Sequence, residues 1–95
     1  MSVPGFEWDP PKAESNLARH RVAFEEAATA FVDPLAKVHS DPDHSHDESR
    51  RILVGHSEKG RLLLVSFAYR GRNIRIISAR TTTRREREKY EEDSN

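Results

Sequence analysis

The stretch from residue 51 to residue 80 constrains the fold most, because it contains three β-prone runs in close succession. The runs cover residues 51–57, 61–69 and 73–80, and the short connections between them read "EKG" and "RGR". Connections of this length join neighbouring strands as hairpins, and glycine supplies the left-handed conformation that such turns need. The stretch therefore predicts an antiparallel meander of three strands.

Two helical segments precede this meander. Asp9-Pro10 is a typical helix start, with aspartate as the N-cap and proline at the first helical position, and the helix is expected to reach about residue 20. Residues 24–31, "FEEAATAF", predict a second helix, because Phe, Ala, Ala and Phe recur at the spacing i, i+3, i+4 and i+7. The Asp-Pro pair at 33–34 ends it.

Weaker β signals at residues 6–8 and 35–40, together with a last helix near residue 83, complete the order β-α-α-β-β-β-β-α. This order predicts an α+β fold, in which helices cover one face of a mainly antiparallel, twisted sheet. A chain of 95 residues is expected to form one domain over residues 1–95.

Charge is distributed unevenly along the chain. Lys and Arg number 4 and Asp and Glu 10 up to residue 49, whereas residues 50–95 contain 12 basic and 6 acidic side chains. The second half is expected to present a basic face to an anionic partner, unless the two halves neutralise each other within the fold. Cysteine, a signal peptide and a membrane-spanning apolar run are all absent from the sequence, so a cytoplasmic protein without a membrane partner is expected.

Residues 75–93, "RIISARTTTRREREKYEED", lead from a predicted strand into a helix with almost no apolar face. Thr83 and Glu86 have the spacing of a capping box, which places the helix start near Thr83. Acidic side chains usually occupy the first turn, because the free N–H groups there carry partial positive charge, yet Arg84 and Arg85 stand in it. An external anion would account for these arginines.

A phosphate group is the anion that suits this junction. Helix-start N–H groups, the neighbouring threonine hydroxyls and the guanidinium groups of Arg80, Arg84 and Arg85 would bind it together. Arg75 and Arg80 differ in parity along the strand, so they reach one ligand only if a bulge intervenes or Arg80 lies beyond the strand's end. The alternative is a set of surface arginines, each paired with an acidic residue.

The first helix carries a polar stripe, because Lys12, Asn16 and His20 follow at i, i+4 and i+8. If this stripe faces the arginine-rich junction, His20 is the natural titrating group and Lys12 a natural phosphate contact. A solvated helix face is the alternative. Trp8, just ahead of the helix, is either a core residue or a surface on which an unpaired base stacks.

The segment "HSDPDHSHD" at residues 39–47 is rich in histidine and aspartate, and both residue types are suitable metal ligands. The candidates are His39, His44, His46, Asp41, Asp43 and Asp47. Their spacing matches no established ligand pattern, and the composition is ordinary for a solvated turn. We predict no metal and no cofactor.

Three segments resemble the BrnT toxin family: "FEWDPPKAESNLARHRVAFEEAATAFVDPLA", "DPDHSHDESRRILVGHSEKGRLLLVSF" and "IRIISARTTTRREREKYEE". They contain the family's usual FEWD-P-x-K-A-x-x-N, a DxxHS loop, G-R-L-L, and I-R-I-I-S-A-R followed by E-R-x-x-Y. The resemblance implies a small ribonuclease toxin with a RelE-like fold, neutralised by a BrnA antitoxin that has a ribbon-helix-helix DNA-binding domain. It implies contact with DNA only through that antitoxin, and it leaves both a homo-oligomer and a 2:2 toxin–antitoxin complex open.

The chain departs from the family pattern between the first two helices, where H-G-V-S-F is usual and Arg21 and Ala23 stand in place of glycine and serine. Glycine suits a left-handed residue after a helix, where arginine costs about 1 kcal/mol or more. Serine would cap the second helix, and alanine loses about 0.5–2 kcal/mol there. Both departures affect how His20 is placed.

These observations predict an endoribonuclease toxin that inhibits growth and translation. Without a metal, the RNA's own 2′-hydroxyl would attack the phosphate and leave a cyclic phosphate and a free 5′-hydroxyl. His20 would act as acid or base, arginines would stabilise the phosphorane, and Lys12 or Tyr90 would assist. The predicted catalytic residues are Arg75, Arg80, Arg84 and His20. The predicted RNA-binding residues are Lys12, Arg85, Tyr90 and Trp8.

The competing class is a module that binds nucleic acid or an acidic protein through the same basic face without cleaving anything. For the antitoxin, the acidic second helix and the exposed edge strand are the expected contacts, since unpaired edges and amphipathic faces favour docking.

Overall fold

The computed structural model describes residues 5–42 and 49–93 and has the predicted order of elements. The elements are β1 Phe6–Glu7, α1 Pro10–His20, α2 Phe24–Thr29, a 3₁₀ turn Ala30–Val32, β2 Lys37–Ser40, β3 Arg50–His56, β4 Leu62–Arg70, β5 Asn73–Thr81 and α3 Arg84–Asp93. The α+β prediction is thus confirmed, with most boundaries within one or two residues of those expected.

The five described strands form one sheet in the order β1-β5-β4-β3-β2. Strands β2 to β5 are antiparallel neighbours, joined between β3 and β5 by turns in which Gly60 and Gly71 have positive φ angles of 77° and 59°. Strand β1 is parallel to β5 but pairs only with Ile74 and Arg75. The rest of β5 therefore has no strand on its outer side within the described chain, and α1 lies there.

Helices cover both faces of the sheet, whereas the sequence pattern predicted coverage of one face. On the first face, α1 and α2 pack over strand residues that alternate inward, such as Leu63 and Val65. On the second face, Tyr90 of α3 packs against Val54 and Leu62. Because α3 buries only Tyr90, its contribution to the core is small.

A β-bulge lies in β5 at Ile77. Phe67 pairs with Ile76 and Ser66 with Ser78, so Ile77 is an extra residue in the ladder. The extra residue reverses the alternation of side chains beyond it. Arg75 lies opposite Ala68 and Arg80 lies opposite Leu64, so both arginines are on the same face of the sheet. The sequence indicated that they could reach one ligand if a bulge lay between them, and Ile77 provides that bulge.

The junction of α1 and α2 has the geometry that the sequence predicted. Arg21 is left-handed, with φ 58° and ψ 30°, and its N–H donates to the Leu17 carbonyl. Ala23 is the N-cap of α2 and provides no side-chain hydrogen bond. Asp9 is likewise the N-cap of α1, but its carboxylate makes no capping hydrogen bond.

Restoring glycine and serine at this junction should stabilise the protein. We expect Arg21→Gly and Ala23→Ser each to raise the free energy of unfolding by about 0.5–1 kcal/mol, by relieving left-handed strain and by capping α2. Urea denaturation measures both. Arg21→Lys is the matched control, since lysine keeps the strain, and equal stabilities of the glycine and lysine variants would contradict the argument.

Candidate functional site

A polar cleft lies between α1 and the bulged part of β5. It has a volume of about 220 Å³ and is lined by Lys12, Ser15, Asn16, Arg19, His20, Ile77 and Ser78. The α1 members recur at i, i+3, i+4, i+7 and i+8, so they share one face of the helix. We call this feature the α1–β5 cleft.

Asn16 fixes the cleft by binding the unpaired edge of β5. Its side chain is 6% exposed, and its Nδ2 donates to the carbonyls of Ala79 at 2.8 Å and Val22 at 2.9 Å. The Ala79 N–H donates in return to Asn16 Oδ1 at 3.1 Å. Asn16 thus replaces a neighbouring strand at this edge and sets the position of Lys12 and His20 one turn away on either side. The sequence placed Asn16 in the polar stripe but did not indicate this role.

The α1–β5 cleft is positively charged. It holds the cations Lys12 and Arg19 together with the imidazole of His20, and no lining residue carries a carboxylate. Among residues 5–42 and 49–93, none forms an ion pair with Lys12, Arg19 or His20. Such an arrangement favours a bound anion and provides one group able to exchange a proton. The sequence predicted the polar stripe of Lys12, Asn16 and His20 on α1, but it did not identify Arg19 as a candidate site residue.

The structure places the predicted arginines outside this cleft. Arg75 Nη1 lies 2.8 Å from Glu7 Oε2, and the same contact lowers the pKa of Glu7. Arg80 makes a bidentate pair with Glu86, at 2.8 and 2.9 Å. Both guanidinium groups are therefore partly neutralised by carboxylates.

The arginines of the α3 start also diverge. Arg84 is 91% exposed and lies 3.5 Å from Glu88. Arg85 lines a different groove, which also contains Tyr90, between α3 and the sheet. None of the arginines at 75, 80, 84 and 85 lines the α1–β5 cleft.

The two aromatic candidates are packed into the protein. Trp8 is half-buried and meets the Phe24 ring edge to face, with centroids 5.9 Å apart. Tyr90 is 8% exposed, and its hydroxyl donates to the Leu35 carbonyl at 3.1 Å. Neither side chain presents an open ring face next to the α1–β5 cleft.

The capping box predicted at the start of α3 is present. The Glu86 N–H donates to Thr83 Oγ1 at 3.1 Å, and the Thr83 N–H donates to Glu86 Oε1 at 2.8 Å. Hydrogen bonding from Arg80, and then from Thr83, lowers the pKa of Glu86 to about 2. Glu86 thus joins the end of β5 to α3.

Because the folded-state pKa of Glu86 is depressed, its ionised form stabilises the fold. This contribution is complete above the ordinary pKa of 4.5 and is lost as the pH falls towards about 2. We expect Glu86→Gln to reduce the free energy of unfolding by about 1–2 kcal/mol at pH 7 and by much less near pH 2.5.

Guanidinium denaturation at both pH values tests this, with Glu88→Gln as control. Glu88 is 57% exposed and pairs only with exposed Arg84 among described groups, so its loss should cost less than about 0.5 kcal/mol. A Glu86→Gln effect that does not change with pH would contradict the assignment.

The metal candidates are only partly described. His44, His46, Asp43 and Asp47 lie outside the described residues. Within residues 5–42 and 49–93, no three His, Cys, Asp or Glu side chains are grouped as metal ligands would be. In the same part of the chain, no helix has the length and apolar character that crossing a bilayer requires.

Comparison with known proteins gives the family. Residues 8–86 match the family model described as the ribonuclease toxin BrnT of type II toxin–antitoxin systems. A crystal structure of the Brucella abortus ribonuclease toxin BrnT has the same fold, with a TM-score of 0.66 and 23% identity, and the match covers 83% of this chain and 96% of that one. No curated protein matches the sequence. Since the family model spans most of the chain, this protein belongs to the BrnT family of ribonuclease toxins of type II toxin–antitoxin systems.

Proposed function

We propose that this protein cleaves RNA in the α1–β5 cleft by attack of the substrate's 2′-hydroxyl on the adjacent phosphate. The observation that carries the proposal is the convergence of Lys12, Arg19 and His20 on one cleft whose lining contains no carboxylate. A phosphodiester is the anionic group of RNA, and two cations on one face of α1 would hold it beside an imidazole.

In this reaction the 2′-oxygen forms a bond to phosphorus and the bond from phosphorus to the 5′-oxygen breaks. His20 accepts the proton of the 2′-hydroxyl, and the ammonium group of Lys12 protonates the leaving 5′-oxygen. Arg19 remains charged throughout and stabilises the phosphorane. The products are a 2′,3′-cyclic phosphate and a 5′-hydroxyl, so no water molecule is consumed.

The predicted arginines have a secondary part in this proposal. Arg75 and Arg80 lie on one face of the sheet but bind Glu7 and Glu86, so each must exchange a carboxylate for a phosphate before it contacts RNA. Exposed Arg84 contributes only to long-range attraction of the polyanion. We assign Trp8 and Tyr90 to packing rather than to stacking on bases.

Product analysis tests the proposed reaction. Purified protein should cut an RNA oligonucleotide to a cyclic phosphate and a 5′-hydroxyl in the presence of EDTA, and a single 2′-deoxy substitution at the cut site should abolish that cut. Loss of cleavage with EDTA and its recovery with one added metal would instead indicate a metal hydrolase. RNA that is bound but left intact would indicate a binding module.

We also propose the partner and location that the family suggests. A type II toxin is held by a protein antitoxin, and we infer a BrnA-like ribbon-helix-helix protein that brings the complex to DNA. Because the substrate is cellular RNA, we place the toxin in the cytoplasm. Growth arrest with RNA loss on expression, suppressed by co-expression of the antitoxin, is the expected result.

A further inference from the structure

A second and larger groove lies on the opposite face of the sheet, between α3 and strands β2 to β4. Its volume is about 450 Å³, within the range of about 300–1,000 Å³ that is usual for binding clefts. We call it the α3 groove. Its floor consists of Ile52, Val54, Leu64 and Tyr90.

The α3 groove is open because α3 has no apolar side chain other than Tyr90 to fill it. The helix residues on its wall are Arg85, Glu86, Lys89 and Asp93, all polar, and Tyr90 is the helix's only buried residue. A helix on a protein surface usually presents a broad apolar stripe to the sheet beneath it. Here part of the apolar floor, Ile52 and Leu64, remains only half-buried.

Within the described part of the chain, the rim of the α3 groove carries positive charge that no carboxylate pairs with. Its acidic members are already engaged, since Glu86 binds Arg80 and Asp93 lies 3.8 Å from Lys89. Lys37 and Arg85 form no ion pair with any residue in the described parts of the chain. The occupant that complements this groove therefore combines apolar side chains with acidic ones.

We propose that the α3 groove binds an acidic, amphipathic segment of the antitoxin, with aliphatic side chains on the apolar floor and carboxylates at Lys37 and Arg85. The partner's identity rests on the proposed function. A peptide fits better than RNA, because the floor is mainly aliphatic and its one aromatic ring is buried edge-on against His56. A base would find no open ring face on which to stack.

This surface differs from the acidic α2 that the sequence suggested. In α2, Glu26 is 4% exposed and binds both Arg61 and Ser57, so its charge is used inside the fold. Strand β2, by contrast, supplies Lys37, His39 and Ser40 to the α3 groove and is also the outer strand of the sheet. The sequence suggested an exposed edge strand as an antitoxin contact, and the edge strand β2 forms one wall of the groove.

Charge reversal with a matched control tests the docking site. The probe is the purified antitoxin, identified as the protein that suppresses toxicity on co-expression, and calorimetry measures its affinity. Lys37→Glu with Arg85→Glu should weaken binding by about 10- to 100-fold, because like charges would then face each other. Lys59→Glu with Arg72→Glu changes the net charge equally at exposed turn positions and should alter affinity less than about threefold.

Circular dichroism confirms that both double variants are folded, and the salt dependence of the affinity gives a second readout. Wild-type binding should weaken with salt more steeply than binding by Lys37→Glu/Arg85→Glu. Equal antitoxin affinities for the two double variants would overturn the proposal. The proposal would also be overturned if charge reversal in the groove weakened binding of a 2′-deoxy RNA analogue and left the affinity for the antitoxin unchanged. The groove would then be a nucleic-acid-binding surface. If the toxin cleaves no RNA but the affinity of the antitoxin still depends on Lys37 and Arg85, the docking site stands and the catalytic proposal fails.

Discussion

Replacement of His20 by alanine is expected to lower single-turnover RNA cleavage by about 10²- to 10⁴-fold, the usual contribution of a general acid or base. His20 is the only histidine among the lining residues of the α1–β5 cleft, and imidazole is the most common general acid or base in enzymes. The affinity for RNA should change little, because Lys12 and Arg19 remain. Rate and affinity are measured separately, by quenched time courses and by titration with a 2′-deoxy analogue.

His56→Gln is the matched control for this prediction. His56 is a half-exposed histidine on β3 that contacts Asp33 and Tyr90 and does not line the cleft. Its replacement should leave the cleavage rate within about threefold of wild type. A fully active His20→Ala protein would remove His20 from the mechanism.

Asn16→Ala should have the largest effect on stability, about 3–5 kcal/mol. The substitution leaves the buried Ala79 N–H and the carbonyls of Ala79 and Val22 without their partner, and each unsatisfied buried group costs about 1–3 kcal/mol. A domain of this size has about 5–15 kcal/mol of total stability, so the variant should unfold at far lower urea concentration.

Ser15→Ala, one residue away on the same helix and exposed, should change stability by less than about 0.5 kcal/mol. Asn16→Asp should be no less destabilising than Asn16→Ala, because one carboxylate oxygen would face the carbonyl oxygens of Ala79 and Val22 in a buried site, although the other still accepts from the Ala79 N–H. A loss below about 1 kcal/mol for Asn16→Ala would show that the edge of β5 does not depend on this side chain.

Features determined by neighbours in the chain were the ones that could be predicted. The Thr83–Glu86 capping box, the left-handed Arg21 and the uncapped Ala23 each depend on residues within one helical turn, so their spacing was sufficient. The antiparallel pairing of β3 with β4 and of β4 with β5 followed in the same way from two short turns. Such local signals combine with hydrophobic periodicity to give the order of elements.

Features determined by distant parts of the chain could not be predicted. Glu7 lies 68 residues from its partner Arg75, and Asn16 lies 63 residues from Ala79. The bulge at Ile77 depends on register against β4, which the sequence of β5 alone does not specify. For this reason the arginines of β5 and α3 suggested one phosphate pocket, whereas the structure pairs Arg75, Arg80 and Arg84 with carboxylates. Lys12, Arg19 and His20 line one cleft instead.

The most direct test of the α1–β5 cleft as the catalytic site is to map where RNA binds. In an NMR titration with an oligonucleotide that has one 2′-deoxy residue at the cut site, the largest chemical-shift changes should occur at Lys12, Arg19, His20 and Ser78. The assignment of the cleft as the catalytic site would be contradicted if the largest chemical-shift changes occurred at the start of α3, for example at Arg84 and Arg85, and the signals of the cleft residues did not change.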